Sequence, residues 1–94
     1  MIRLMTKEKT YLNPEDQVLE VHEKKLILFN DEVNAFDYVI ESLVTVCEHT
    51  FEQAETCTWI AHFKGKCAIK SGTDEMLQPY KYELLNRQLT VRIE

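Results

Sequence analysis

The segment Leu26-Ile27-Leu28-Phe29-Asn30-Asp31-Glu32-Val33-Asn34-Ala35-Phe36 constrains this chain more than any other. A short apolar run rich in Ile and Phe predicts a strand over Lys25 to Phe29, buried on both faces. Three polar residues follow, and an amphipathic helix begins almost at once. Asn-Asp suits an ordinary turn, because both side chains bond their own backbone, and such a turn is one reading of the junction. The other is a site. His62 ends the second predicted helix and can fold back over the junction, and an acidic turn facing an imidazole is a cation site in outline.

After Asn34, which makes a good N-cap, Phe36, Val39, Ile40, Leu43, Val46 and Cys47 recur at helical spacing. Asp37, Glu41, Ser42, Thr45 and Glu48 take the opposite face. Thr50-Phe51-Glu52-Gln53 has the form of a capping box and predicts a second helix. Its inner face takes Phe51, Ala54, Thr58 and Ala61, with Cys57 and Ile60 broadening the stripe, and His62 lies four residues beyond Thr58 on the same side. Trp59 and Phe63 fall outside the stripe and read as edge packing. Lys64-Gly65-Lys66 turns the chain, and Cys67-Ala68-Ile69 begins a strand.

Gly72 and Thr73 end that strand and cap a third helix, with Asp74 and Glu75 in the first turn where the helix dipole favours anions. Pro79 falls inside this helix, removing a hydrogen bond, which predicts a kink or a late start near Leu77. Leu89-Thr90-Val91-Arg92-Ile93 alternates as a closing strand. The order strand, helix, helix, strand, helix, strand describes an α+β fold, a three-stranded, mostly antiparallel sheet packed against three helices.

Ninety-four residues make one domain with a modest core. Residues 1–24 carry charge, an Asn13-Pro14 turn signal and no sustained periodicity, so they read as a flexible arm, with the folded domain spanning 25–94. The net charge of −5, with scattered lysines, argues against a nucleic-acid partner. No stretch approaches the roughly 20 apolar residues of a membrane span, and the first residues lack the apolar core of a secretion signal, which points to a cytoplasmic protein. Cys47, Cys57 and Cys67 are ten residues apart, match no zinc or redox spacing and read as small buried hydrophobes. Neither metal nor cofactor is implied.

The strand, Asn30-Asp31-Glu32, the helix with Phe36 and Val39, the second helix ending Ala61-His62-Phe63-Lys64-Gly65-Lys66 and the closing strand resemble the ClpS family. These are adaptors that recognise N-degrons for the Clp protease. The resemblance spans about Lys25 to Glu94, and it implies a non-catalytic pocket that holds the free α-amino group of a substrate and buries its large apolar or aromatic first side chain. Asn30, Asp31 and His62 match the amine-binding positions. A protonated amine has three donors, and an amide oxygen, a carboxylate and a neutral imidazole nitrogen can each accept one. On this reading, removing the amine leaves Asp31 desolvated and unpaired.

Phe29, Asn34, Phe36, Val39, Thr58, Ala61 and Leu89 match positions that line or border the side-chain pocket. Thr58 and Phe36 stand where relatives often carry methionine, so the pocket is wider at one and refilled at the other. Glu75 matches a position used to dock the N-terminal domain of a Clp-type unfoldase, the implied partner, and the adaptor is expected to act as a monomer. Burying a leucine or phenylalanine side chain contributes roughly 1.5–3 kcal/mol. Each hydrogen bond to a charged group contributes roughly 1.5–3 kcal/mol. Set against an association cost of about 4 kcal/mol or more, these give an affinity on the order of micromolar.

Three other classes are weighed against this one, the plainest being a structural or regulatory interaction domain, the default reading if the pocket is closed. The fold is also similar to the C-terminal domain of the ribosomal stalk protein, an interaction module that needs a basic helix face, whereas the outer faces here are acidic. An enzyme using Asp31 and His62 as a dyad lacks an evident nucleophile or oxyanion donors.

Overall fold

A computed structural model describes residues 22–94, and most of the expected arm lies outside the described residues. The elements run β1 (Lys24–Phe29), α1 (Phe36–Cys47), α2 (Phe51–Lys64), β2 (Lys66–Gly72), α3 (Asp74–Asn86) and β3 (Val91–Ile93). This is the α+β order read from the sequence. The sheet is antiparallel throughout, in the order β2-β1-β3, so β1 is central. That position explains its apolar run: Leu26, Ile27 and Leu28 are all buried. Leu26 and Leu28 join the core with Val39, Ile40 and Leu43 of α1, Leu77 and Leu84 of α3 and Val91 of β3.

Opposite Leu26 and Ile27 the register of β2 jumps from Lys70 to Ala68, which leaves Ile69 as a bulge residue. Its side chain is in the core, and its carbonyl accepts a 2.8 Å hydrogen bond from His49. A carbonyl can only accept, so Nε2 of His49 carries the proton. The turn between α1 and α2 is thereby fastened to the sheet.

The capping box at Thr50 and Gln53 is formed in both directions, at 2.9 and 3.1 Å. Helix α2 buries only Ala54, Thr58 and Ala61, three small residues, which lets it lie close to β1 and β2 and turns its large side chains outward. Phe51, placed inside by periodicity, is 57% exposed. It stands in the first turn, beside a groove on α1 formed with Asp37, Ile40, Glu41 and Val44.

Two further expectations are corrected. Helix α3 does not start late: Thr73 caps it by accepting from the Met76 N–H at 3.2 Å, and Pro79 sits in its second turn. The early cap and the buried Leu77 and Leu84 hold the helix across the proline. Asn34 is not the N-cap of α1. Ala35 takes that position without a side-chain bond, and Asn34, one residue earlier, has its carboxamide oriented by the bonds its Nδ2 donates to Asp31 and Gln88.

Candidate functional site

Strand β1 ends at Phe29, and Asn30 continues its pairing by donating its backbone N–H to the Gly65 carbonyl at 2.9 Å. Gly65 is the left-handed C-cap of α2 (φ 98°), a conformation that suits glycine. This backbone bond brings the Asn-Asp junction to the C-terminal end of α2, beside His62, as expected from the sequence.

Asp31 then organises the turn. Its Oδ1 accepts from the Val33 N–H at 2.7 Å and the Asn34 N–H at 3.1 Å, and its Oδ2 accepts from the Asn34 side chain. The same Asn34 amide nitrogen donates to the Gln88 carbonyl at 2.9 Å, tying the turn to the connection between α3 and β3. Tyr38 adds a second tie through its hydroxyl, which donates to the Arg87 carbonyl at 2.9 Å. Partial burial pushes the Asp31 carboxyl up, but the hydrogen bonds from the Asn34 side chain and from the Val33 and Asn34 backbone outweigh it, and its pKa lies below the usual carboxylate value. Asp31 is therefore never unpaired, which corrects the expectation that it depends on a bound amine.

Between this turn and α2 lies a narrow hollow, about 20 Å³ in volume. Asn30, Asp31 and His62 border it together with Phe29, Asn34, Phe36, Val39, Thr58 and Ala61, so the structure gathers nine of the residues singled out in the sequence around one space. Val39, Thr58 and Ala61 are buried, while Asn30 and His62 are exposed at the mouth. The Thr58 hydroxyl donates back to the Ala54 carbonyl at 2.8 Å, which leaves its methyl as its contribution to the wall. Phe36 is half-buried, with its ring edge-on to His62 at 5.3 Å between centroids.

Leu28 also lines the hollow and was not singled out. The signal was available, since it is the last fully buried residue of the strand that leads to the junction. Leu89 is placed differently: it is 3% exposed in the core and does not border the hollow. Glu75 stands apart as well, exposed in the first turn of α3. The hollow thus has an apolar interior and a mouth bearing a carboxylate, a carboxamide and an imidazole. Such a mouth offers hydrogen-bond acceptors to a cationic head, and such a wall offers apolar contact.

The family profile described as the ATP-dependent Clp protease adaptor protein ClpS matches residues 15–91. The chain belongs to the ClpS family. Its fold is also that of a solved ClpS protein: the structure of Agrobacterium tumefaciens ClpS2 bound to L-phenylalaninamide aligns with a TM-score of 0.73, covering 80% of this chain and 98% of that one. Sequence identity between the two is 17%, so the likeness is one of fold. A search of curated proteins returns no match.

ClpS is a family of adaptors, not of catalysts. Among the described residues no cluster of three or more His, Cys, Asp or Glu side chains is placed to hold a metal, and no helix is long and apolar enough to cross a membrane. Burial pushes the Cys47 thiol up to about 11 and the Cys57 thiol up to about 12, so both stay protonated at neutral pH.

Proposed function

We propose that this ClpS-family protein binds the free N-terminal residue of substrate proteins, with preference for large apolar or aromatic side chains, and delivers them to a Clp-type AAA+ unfoldase. Asn30, Asp31 and His62 hold the α-ammonium group, and the side chain enters the hollow walled by Phe36, Val39, Thr58 and Ala61. The observation that carries this reading is the single hollow in which all of these residues meet, polar at the mouth and apolar within. Three of the four or so acceptor positions of the Asp31 carboxylate are taken by the turn. It therefore offers the ligand one further hydrogen bond and a fixed negative charge.

Glu75 contributes to docking on the unfoldase N-terminal domain, on a face separate from the hollow. The adaptor acts as a monomer in the cytoplasm, with the residues before β1 as an arm used in delivery. Titration of peptides beginning with Leu, Phe, Tyr or Trp, their acetylated forms, and controls beginning with Ala or Glu tests the binding reading. Free peptides of the first group bind at about micromolar affinity, and acetylation abolishes binding. Equal affinity for free and acetylated peptides would sink the proposal.

A further inference from the structure

Because α2 turns its small residues inward, its aromatic residues face out beside the hollow. Trp59 is 43% exposed and Phe63 is 72% exposed, and neither belongs to the core. Their rings stack on each other, with centroids 5.2 Å apart and planes 12° from parallel. Phe36 meets Trp59 at 4.6 Å, and His62 lies 6.0 Å from Trp59 and 5.0 Å from Phe63. Phe36 and His62 also line the hollow, so aromatic surface runs unbroken from its wall to the open face of α2. Folding leaves this surface in water, and a contiguous exposed apolar patch marks a contact site.

We propose, resting on the N-degron reading above, that the Trp59–Phe63 stack is a second subsite, taking an aromatic side chain from the residue that follows the bound N-terminal residue. With the amine held at Asn30, Asp31 and His62 and the first side chain inside the hollow, the peptide leaves through the mouth. Its next Cα lies about 3.8 Å further on. Successive side chains of an extended peptide point to opposite sides, so the second one falls on the rim instead of entering the hollow. On the α2 side that rim is aromatic, and a ring placed there gains offset or edge-on contacts that tighten binding about two- to tenfold.

Trp59 is the single tryptophan of the chain, so its emission reports on this surface. The full chain is titrated with peptides that begin Leu-Phe and Leu-Ala and are otherwise identical, with affinity read by calorimetry and by tryptophan fluorescence. Leu-Phe binds about two- to tenfold tighter and shifts the emission further, and the ratio of the two affinities falls to about one in Phe63→Ala. Equal affinities in the unmodified protein overturn the subsite alone, provided that acetylation still abolishes binding. If acetylated Leu-Phe binds as well as the free peptide, the N-degron reading fails and the subsite falls with it.

Discussion

Asp31 serves the turn and the site at once, and the two duties separate by substitution. Asp31→Asn keeps an oxygen for the Val33 and Asn34 N–H groups but removes the charge and sets one amide nitrogen against another at Asn34. Peptide affinity falls about ten- to a hundredfold while the domain stays folded by circular dichroism. Asp31→Ala removes every acceptor, so the Val33 and Asn34 amides also exchange faster with deuterium. The pH dependence has a fixed sign. Folding lowers the Asp31 pKa, so its contribution to turn order is present above the ordinary carboxylate value and is lost as pH falls through the lowered one. Protection of those two amides is therefore constant from about pH 7 to 5 and is lost only as pH falls below the ordinary carboxylate value. Thr58 answers a narrower question, because its hydroxyl is already bonded within α2. Thr58→Val leaves peptide affinity nearly unchanged, because the hydroxyl is turned to the Ala54 carbonyl, whereas Thr58→Met fills the hollow and narrows the set of accepted first residues in the same titration.

Among the elements, β2 depends on a residue outside the sheet. The bulge at Ile69 presents its carbonyl to His49, and His49→Ala removes that partly buried partner. Thermal unfolding then shows a loss of about 1–2 kcal/mol. Helix α3 moves the other way. Pro79 lacks the N–H that would reach the Glu75 carbonyl, and it is exposed, so nothing in the core requires its ring. Pro79→Ala stabilises the domain by about 1–3 kcal/mol in urea titrations. A neutral or destabilising result would show that the proline fits the local backbone without strain.

Across the whole molecule, one small core serves all six elements. Leu43 is fully buried where α1 packs on both other helices. Leu43→Ala costs about 2–5 kcal/mol, a large part of the roughly 5–15 kcal/mol that holds a domain of this kind together. Its urea midpoint drops with little change in slope, the signature of lost stability within an unchanged fold. The hollow shares that core through Leu28, Val39 and Ala61, so peptide binding weakens in step with the population unfolded.

The element order, the Thr50 and Thr73 caps and most of the core were legible in the sequence because they depend on spacing and on neighbours within one helical turn. The residues around the hollow were legible too, through a resemblance carried by Asn30, Asp31 and His62. Tertiary structure alone decided what those side chains do. Asn34, a natural cap by local rules, instead donates its Nδ2 to a carbonyl 54 residues away, which fixes the orientation of its carboxamide. Leu89 went to the core and Leu28 to the hollow because their places depend on how β1 and the turn after α3 meet the helices. A polar side chain takes the partner that the folded chain brings within reach, and only the assembled fold fixes which partner that is.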